Sequence, residues 1–415
     1  MLDINKIRNE KEVVEKALLK RMEKSKLNLD KILKLDDQRK ELSKEIDDKR
    51  AERNASSKKK PDDVTIAKMK EVGAEIVEFE QKLEPIEKDL KELLSALPNI
   101  PADDVVAGGK ENNKIIKTFG TKPSFSFPAK DHVELATNLK LIDYERAVKM
   151  SGSGFWCYTG DGALLEWALL NYCIDFHKKN GYTFLMPPYL LTEESAYTSG
   201  HLPKFRDDLF WTKDGTCLNA TAEMMLGNYH RDEILSGENL PLKYFAYSAC
   251  FRREAGSYRK EERGMIRGHQ FNKIEMFQFT APDGSWVAFD EMLKNAEKLV
   301  EGLGLHYQTV QLAAGDCSAA MAKTVDIEVW IPSMEVYKEV SSISNALDYQ
   351  ARRGATRYKF AGDKTTEFVH TLNGSGLATS RLLPAILEQF QQADGSVKVP
   401  EVLQKWVGKS IIKVE

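Results

Sequence analysis

Hydrophobic residues repeat every seven positions through the segment that follows Asp62. They form two rows, one with Met69, Ile76, Leu83, Leu90 and Leu97, the other with Val72, Phe79, Ile86 and Leu93. Such heptad spacing is typical of a helix that packs along a second helix. The preceding segment supplies that second helix, because its hydrophobic residues also lie at helical spacing, at Ile32, Leu35, Leu42 and Ile46.

The polar, basic stretch AERNASSKKKPDD separates the two helical segments. It predicts an antiparallel two-helix coiled-coil arm that turns around residues 54–63. A parallel coiled coil between two molecules is the alternative that this pattern leaves open. Basic residues gather near the turn, at Lys49, Arg50, Arg53, Lys58, Lys59 and Lys60. They weakly indicate a contact with a phosphate backbone, against the alternative of a solvated face.

Helical and strand-like patterns alternate from residue 121 to the C-terminus. We predict helices near residues 131–139, 164–178, 222–234, 290–303 and 381–392. Strands are predicted near residues 184–191, 244–251, 271–279, 306–311, 324–331, 336–342 and 367–372. Several neighbouring strands lack the helical crossover that parallel pairing requires, so the fold class is α+β, a largely antiparallel sheet flanked by helices.

Residues 245–279 have the alternation of two strands joined by a charged loop. In the returning strand Phe271, Glu275, Phe277 and Phe279 share one parity, so the Glu275 carboxylate should point to the same face as Phe277. A carboxylate in that position needs a partner. Glycines including Gly256, Gly264 and Gly268 would let the loop turn closely around a ligand. A solvated surface hairpin remains the alternative for this stretch alone.

Length and composition suggest an ordinary two-domain protein. The 415 residues exceed one typical core, so we expect a helical arm at 1–100, a Pro- and Gly-rich linker at 101–120 and a second domain at 121–415. The net charge of -3 points to no nucleic acid partner at the level of the whole molecule. The five cysteines are scattered, which indicates neither zinc nor disulfides. No apolar run has the length of a signal peptide or membrane helix, so a cytoplasmic location is expected.

No phosphate-binding loop of the form G-x-x-x-x-G-K-[ST] occurs, and no G-x-G-x-x-G follows a strand. A nucleotide would need another site, and three segments could form one: residues 251–254 with Phe271 and Glu275, residues 339–342, and residues 373–381. In these segments the motifs FRREAG, RGMIRGHQF, EVSSISN and NGSGLATSR stand in an order that resembles the class II aminoacyl-tRNA synthetases. PNIP, SGSGFW, the TAE of residues 221–223, DIEVW and YQARR extend the resemblance over the whole chain, to seryl-tRNA synthetases of the bacterial type.

The resemblance implies an enzyme that activates L-serine with ATP and transfers it to tRNA(Ser), and it leaves charging of tRNA(Sec) open. It implies a catalytic set of Arg252, Glu339 and Arg381. The implied ATP-binding residues are Arg252, Arg253, Glu254, Gly268, Phe271, Glu339, Val340, Ser341, Ser342 and Arg381. The implied serine-binding residues are Thr221, Ala222, Glu223, Arg252, Glu275 and Ser375. Glu339 and Ser342 would hold Mg²⁺ that arrives with ATP.

The family also implies a homodimer, with Pro188 in the dimerisation segment, and no membrane or DNA partner. Two alternatives stay open: a non-catalytic paralogue, and an amino-acid ligase that charges a carrier protein. The chain departs from the family pattern at Arg253, at Met224 and Met225, in DCSAAMAKTVDIE and at Pro384. These departures leave the shapes of the ATP loop and the serine pocket in question.

Overall fold

A computed structural model describes residues 1–56, 63–255 and 264–414. These residues divide into two compact units, Met1–Ile100 and Pro101–Glu415. Lys58, Lys59 and Lys60 near the turn of the predicted arm lie outside the described residues, as does Gly256. Within the described residues no helix is long and apolar enough to cross a membrane.

The described residues of the first unit form helices and the segments between them. Its α-helices are α1 (Ile4–Asn9), α2 (Lys11–Leu18), α3 (Leu29–Ser56) and α4 (Asp63–Ala96). Helices α3 and α4 run antiparallel, since Lys49 Nζ lies 2.5 Å from Glu75 Oε2 while Lys68 Nζ, earlier in α4, lies 2.7 Å from Glu52 Oε1. Ile46 is buried between them with Val72 and Ile76. The predicted two-helix arm is therefore confirmed, as a pairing within one chain.

The second unit mixes helices and strands. Its helices are α5 (His132–Asn138), α6 (Tyr144–Ser151), α7 (Gly160–Lys179), α8 (Glu193–Thr198), α9 (Glu223–Leu226), α10 (Ser285–Gly302), α11 (Tyr349–Arg353), α12 (Thr379–Gln389) and α13 (Glu401–Val407). Its strands are β1 (Lys114–Phe119), β2 (Ile142–Asp143), β3 (Cys157–Tyr158), β4 (Thr183–Leu185), β5 (Leu190–Leu191), β6 (Cys217–Leu218), β7 (Ile234–Ser236), β8 (Leu242–Phe251), β9 (Gln270–Thr280), β10 (Tyr307–Gln311), β11 (Lys323–Ile331), β12 (Val336–Leu347), β13 (Arg357–Lys359), β14 (Glu367–Phe368), β15 (His370–Ala378), β16 (Val397–Lys398) and β17 (Ile411–Ile412).

An eight-stranded sheet with the order β1-β10-β11-β12-β15-β9-β8-β4 forms the centre of this unit. Every neighbouring pair is antiparallel except β4 and β8 at one edge. The predicted antiparallel sheet is thus confirmed. The β8–β9 pairing is regular along its length, from Leu242 opposite Phe279 to Phe251 opposite Gln270.

The two faces of this sheet differ in character. On one face Ile274, Met276, Ile343 and Leu372 are buried in a core with residues of α7, α10 and α12. Because side chains alternate along a strand, Lys273, Glu275, Ser342 and Ser375 point to the other face. Phe277 and Phe279 share that face with Glu275, but a second core covers them. The parity predicted for Glu275 is therefore confirmed.

Three predicted elements were wrong in extent, and one of them is the strand expected at residues 367–372, which is divided between β14 and the start of β15. The helix expected at residues 222–234 is limited to α9, and Ile234 begins β7. Gly227 ends the helix, the Asn228 side-chain amide donates to the Met224 carbonyl at 2.8 Å, and Asp232 has a left-handed φ of 62°. The strand expected at residues 184–191 is split into β4 and β5, with Pro187 and Pro188, which carry no backbone donor, between them.

The segment at residues 101–120 belongs to the second unit and pairs with it. Ala102 N donates to the Ala322 carbonyl at 2.9 Å, and Gly315 N donates to the Gly108 carbonyl at 2.7 Å. Residues 114–119 then form β1 at the edge of the large sheet. The boundary that we predicted at residue 100 coincides with the boundary between the units.

Candidate active site

A cavity of about 240 Å³ opens on the polar face of the large sheet. Its walls come from the residues that follow β8, from β9, β12 and β15, from the start of α12, from the loop at residues 199–205 and from Thr221 and Glu223. Predicted site residues line this cavity at Thr221, Glu223, Arg252, Glu254, Gly268, Phe271, Glu275, Glu339, Val340, Ser342, Ser375 and Arg381. The fold thus brings together segments that are more than one hundred residues apart in sequence.

Arg252 and Phe271 stand where β8 ends and β9 begins. The Arg252 guanidinium carbon lies 5.1 Å from the centre of the Phe271 ring, and Arg252 Nε donates to the Ala220 carbonyl at 3.2 Å. The backbone N–H of Arg252 donates to the His269 carbonyl at 2.9 Å, which continues the hairpin pairing beyond β8. A planar cation stacked on an aromatic ring is well placed to bind phosphate and a nucleobase side by side.

The described ends of the β8–β9 loop are held by polar contacts. Arg267 Nε donates to Glu254 Oε2 at 2.7 Å, so the predicted ATP residue Glu254 is ion-paired across the loop. On the outer side, the backbone N–H of Ala255 donates to Asp208 Oδ1 at 3.0 Å. These contacts fix the entry and exit of the loop beside the cavity.

Gly268 lies where the returning chain passes an aromatic ring. A Cβ atom at this position would lie 2.1 Å from Cζ3 of Trp156, too close for any side chain. The next residue, His269, donates its backbone N–H to the Gly154 carbonyl at 2.9 Å. The SGSGFW motif therefore supports the loop from behind and requires glycine at residue 268.

Arg381 is held near the carboxylate of Glu339. Its Nη1 donates to the Glu339 backbone carbonyl at 2.8 Å and lies 3.5 Å from Glu339 Oε2, while its Nε donates to the Ile266 carbonyl at 3.3 Å. These contacts join the start of α12 to β12 and to the end of the β8–β9 loop. A second guanidinium thus faces the cavity that already holds Arg252.

Three predicted site residues do not line the cavity. Arg253 is exposed, and its backbone N–H donates to the Asp208 carbonyl at 2.9 Å. Ala222 is buried at the start of α9. Ser341 is also buried, and its hydroxyl donates to the Ser375 carbonyl at 2.5 Å. Met224 and Met225 are buried in the core that covers Phe277, so this departure from the family pattern lies behind the cavity.

Glu275 and Lys273 form a buried ion pair on the cavity face of β9. Lys273 Nζ lies 2.5 Å from Glu275 Oε2 and donates to Thr221 Oγ1 at 2.7 Å. Asn373 Nδ2 donates to the other oxygen of Glu275, Oε1, at 3.3 Å. The partner that the sequence required for Glu275 is therefore Lys273, with Asn373 beside it.

Glu223 is the second carboxylate at this end of the cavity. Burial, together with the charge of Glu275, raises the pKa of its carboxyl group to about 7, although Lys273, Arg252 and a hydrogen bond from Gln350 act in the opposite direction. Gln350 Nε2 donates to Glu223 Oε1 at 2.7 Å. A nearby cation strongly favours the ionised form of a buried carboxyl group. Glu223 is therefore a suitable partner for an ammonium group.

Asp326, opposite Ser342 on the neighbouring strand, adds a further acid behind Glu339. Burial and the charge of Glu339 raise the pKa of Asp326 well above its usual range, and a hydrogen bond from Ser342 opposes them. One carboxyl oxygen, Oδ1, is buried without a hydrogen-bond partner. Among the described residues no three or more His, Cys, Asp or Glu side chains are clustered to hold a metal on their own.

The sequence reasoning missed several residues of the cavity wall, above all Lys273 and His201. Lys273 could have been found, since it shares the parity of Glu275 two positions earlier. His201 Nδ1 lies 3.0 Å from Ser199 Oγ, and burial with the charges of Arg252, Lys273 and Arg353 lowers its pKa to about 3. No periodic signal marks His201 in the sequence.

Comparisons with known proteins agree with this geometry. A family profile described as the seryl-tRNA synthetase N-terminal domain matches residues 1–101. A profile described as the tRNA synthetase class II core domain (G, H, P, S and T) matches residues 205–390. The serine–tRNA ligase 2 of Clostridium acetobutylicum is 55% identical over 426 residues, covering 99% of each chain. The chain belongs to the seryl-tRNA synthetase family.

Other members of the seryl-tRNA synthetase family match along their full length. The serine–tRNA ligase of Petrotoga mobilis is 45% identical over 99% of this chain and 100% of its own. The crystal structure of the Pyrococcus horikoshii seryl-tRNA synthetase complexed with ATP has a TM-score of 0.92 and 36% identity, with both chains covered completely. That of the cytoplasmic serine–tRNA ligase of Naegleria fowleri in complex with AMP has a TM-score of 0.86 and 31% identity, covering 100% of this chain and 99% of the other.

The predicted family, the class II fold and the aminoacyl-tRNA synthetase activity are thus confirmed. Use of ATP agrees with the nucleotide complexes of the two structural relatives. The alternative of a non-catalytic paralogue finds no support. The roles of individual residues remain predictions.

Proposed function

We propose that this seryl-tRNA synthetase activates L-serine with ATP and transfers the serine to tRNA(Ser) in the cytoplasm. The observation that carries the proposal is a shared cavity. Arg252, Phe271 and Arg381 line one part of it, and Thr221, Glu223 and Glu275 line another. A nucleotide bound by the first set would present its α-phosphate to an amino acid bound by the second.

In the proposed reaction a serine carboxylate oxygen attacks the α-phosphorus of ATP, and pyrophosphate leaves. A ribose hydroxyl at the end of the tRNA then attacks the carbonyl carbon of the seryl-adenylate, and AMP leaves. No side chain acts as nucleophile in either step. The protein contributes by positioning the reactants and by stabilising charge at phosphorus, which is how phosphoryl-transfer sites generally work.

Arg252 would contact the α-phosphate, and the adenine would lie between Phe271 and the guanidinium of Arg381. Both arginines reach the cavity and are held by backbone carbonyls, at Ala220 for Arg252 and at Ile266 and Glu339 for Arg381. Carbonyl acceptors occupy only part of the fork of donors on each guanidinium. The remaining donors are available for bidentate contacts with phosphate.

Serine would be recognised by the two carboxylates. Glu223 would pair with the substrate ammonium group, and Glu275 would accept a hydrogen bond from the substrate hydroxyl. Alanine could not make the hydrogen bond from a substrate hydroxyl to Glu275, whereas threonine would have to be excluded by lack of space, a weaker filter. Ser375 and Asn373 flank this end of the cavity.

The Glu339 carboxylate and the Ser342 hydroxyl fit Mg²⁺, a hard cation that prefers oxygen ligands and keeps several of its waters. Both side chains line the cavity on β12. When bound, Mg²⁺ would neutralise part of the phosphate charge. In the protein, Glu339 also lies close to Arg381, so this carboxylate helps to orient the guanidinium.

The helical arm would bind the tRNA. Proteins recognise structured RNA mostly by its shape and by contacts with its backbone, so the arm need not read a base sequence. Lys49 and Arg50 are paired with Glu75 and Glu80 of the adjacent helix. Their charges are therefore partly neutralised within the arm. The proposed tRNA contact depends more on Arg53 and on Lys58, Lys59 and Lys60.

A homodimer is the proposed assembly, through the segment that contains Pro188. Large apolar side chains of this segment are exposed, Met186 by 76% and Leu190 by 55%. Exposed apolar side chains on both sides of Pro188 favour contact with a second copy. Sedimentation equilibrium should give twice the mass of the chain, and a monomer at micromolar concentration would refute the dimer.

Charging of tRNA(Ser) tests the proposed function. The full chain, incubated with ATP, Mg²⁺, labelled serine and tRNA(Ser), should form acid-precipitable seryl-tRNA. A tRNA for another amino acid serves as the control and should stay uncharged. Activation of serine without transfer to tRNA(Ser) would instead favour an amino-acid ligase that uses another acceptor.

A further inference from the structure

Gln350 lies behind the proposed serine site and makes hydrogen bonds with every group of its side-chain amide. It is buried on α11 and does not line the cavity. Its Nε2 donates to Glu223 Oε1 at 2.7 Å and to the Ser199 carbonyl at 2.9 Å. Its Oε1 accepts a hydrogen bond from the Thr371 hydroxyl at 2.7 Å.

These partners fix the orientation of the amide. If the amide were turned over, its oxygen would face the Ser199 carbonyl and the Glu223 carboxylate, which both accept and cannot donate when Glu223 is ionised. The Thr371 hydroxyl, on β15, holds the oxygen on the opposite side. Gln350 therefore has one favourable arrangement, in which both of its N–H groups point towards the cavity wall.

The two acceptors belong to two walls of the same cavity. Glu223 lies on α9, and Ser199 and Gly200 lie on the loop that follows α8. The loop passes close to Ala320, since a Cβ added to Gly200 would lie 2.6 Å from Ala320 Cβ. Gln350 thus sets the distance between the Glu223 carboxylate and the opposite loop.

We propose that Gln350 is a positioning residue for amino-acid recognition, which holds the Glu223 carboxylate and the Ser199 carbonyl at the spacing that a substrate ammonium group requires. The proposal rests on the proposed function of Glu223. Gln350 touches no substrate itself and acts through Glu223.

The charge of Glu223 supports this role. Burial and Glu275 raise the pKa of Glu223, whereas Lys273, the Gln350 hydrogen bond and Arg252 lower it, and the net value is about 7. Loss of the Gln350 donor would therefore raise the pKa further. A larger fraction of Glu223 would then be protonated at neutral pH and unable to pair with an ammonium group.

The test compares steady-state pyrophosphate exchange by the full chain and its Gln350→Leu variant between pH 6 and pH 9. We expect the KM for serine to rise about 10- to 100-fold, as for loss of a hydrogen bond to a charged group. The KM for ATP should change less than about twofold, because the described hydrogen bonds of Gln350 go to Glu223, Ser199 and Thr371 and not to the nucleotide site. The rising limb of kcat/KM for serine should move to higher pH.

Gln278→Leu is the matched control. Gln278 is also a buried amide, and its Nε2 donates to the Tyr182 hydroxyl at a distance of 2.6 Å. Neither residue lines the cavity. Gln278→Leu should share any general loss of stability without the change in serine KM. Thr371→Val removes only the hydroxyl that orients Gln350 and keeps the side-chain shape. It should raise the serine KM in the same direction, and it keeps the proposal testable if Gln350→Leu does not fold.

Glu223→Gln separates the two levels of the hypothesis. If Glu223→Gln leaves the serine KM unchanged, the proposed serine site is wrong. If Glu223→Gln raises it while Gln350→Leu and Thr371→Val do not, only the positioning role of Gln350 is wrong. Gln350→Leu could also raise the KM for serine and the KM for ATP equally, with no change in the pH dependence of kcat/KM for serine. That result would show that Gln350 has only a structural role.

Discussion

Lys273 and Glu275 are both almost fully removed from solvent, with 8% and 2% of their side chains exposed. Each charge is compensated mainly by the other. Removing one member leaves an uncompensated buried charge, which generally costs much more than the net contribution of the pair. At the scale of single residues, this pair is the most sensitive point of the proposed serine site.

We predict that Lys273→Met lowers the free energy of unfolding by about 3 kcal/mol. The double change Lys273→Met with Glu275→Leu should regain part of that loss, because no buried charge remains. Urea unfolding followed by tryptophan fluorescence measures both, and it reports on the second unit, since all 6 tryptophans lie beyond residue 100. If Lys273→Met is as stable as the parent protein, Lys273 does not compensate the buried charge of Glu275.

Arg252→Lys tests the nucleotide site at the same scale. Lysine keeps the charge but loses the planar fork and the stacking on Phe271, so we predict a fall in kcat for pyrophosphate exchange of about 100-fold or more. Because Arg252 is also among the implied serine-binding residues, the KM for serine should rise as well, and the fall in kcat is the effect that reports on the nucleotide site. The control is Arg352→Lys, since Arg352 stacks on Phe368 at 4.5 Å and lines no part of the cavity. Similar kinetics for both variants would show that the Arg252 fork is not used.

Sequence alone predicted some of these residues and not others, for physical reasons. Glu275 could be predicted because strand parity sets the face to which a side chain points. Lys273 has the same parity and could have been predicted by the same reasoning. Gln350 could not, because it is 127 residues from Glu223 and meets it only in the folded protein, where α8 packs against both α9 and α11.

At the scale of elements, Glu166 joins three segments behind the nucleotide site. Its Oε1 on α7 accepts hydrogen bonds from Asn272 Nδ2 of β9 at 2.7 Å and from the Thr379 hydroxyl of α12 at 2.5 Å. Asn272 follows Phe271, and Thr379 lies two residues before Arg381. Burial raises the pKa of Glu166 to about 7, against the effect of these hydrogen bonds.

We predict that Glu166 makes the protein less stable as pH rises from about 4.5 to about 7. In that range the unfolded state has already lost this proton while the folded state retains it, so stability falls by up to about 1.4 kcal/mol per pH unit. Glu166→Gln should remove this part of the slope in tryptophan-monitored unfolding. An unchanged slope in the variant would show that Glu166 is ionised throughout this range.

The long elements followed from hydrophobic periodicity, and the short ones did not. Helix α4 and the β8–β9 pair have repeated patterns over many residues, which local rules detect well. The helix predicted at residues 222–234 was too long. Met224, Met225 and Leu226 are consecutive apolar residues, and such a run is buried equally well in a single helical turn as in a long helix. There the cap at Gly227 and Asn228, together with packing on Phe277, determined the structure.

At the scale of the whole molecule, the proposed function divides the chain into a second unit that activates serine and a helical arm that binds tRNA. We predict that the triple change of Lys58, Lys59 and Lys60 to Glu lowers kcat/KM for tRNA(Ser) at least about tenfold, because phosphate contacts are lost. Serine-dependent pyrophosphate exchange should be unaffected. The same reversal at Lys31 and Lys34, exposed lysines near the start of α3, is the control.

Two outcomes would contradict this division of roles. Equal loss of charging in the tip variant and in the control would place the tRNA contact elsewhere on the arm. Loss of pyrophosphate exchange in the tip variant would show that the arm is needed for activation as well. The salt dependence of tRNA binding is a second measurement. A variant with fewer phosphate contacts should show a smaller slope of the logarithm of the binding constant against the logarithm of the salt concentration.

Amino-acid-dependent pyrophosphate exchange with the full chain, for serine, threonine, alanine and glycine, tests the proposed serine site. Serine should give robust exchange, and kcat/KM should be about 10- to 200-fold lower with threonine, which is excluded by size. Alanine and glycine should give near-background exchange, because they have no hydroxyl to donate a hydrogen bond to Glu275. Exchange with any of the three at a rate comparable to serine would contradict the proposed serine site.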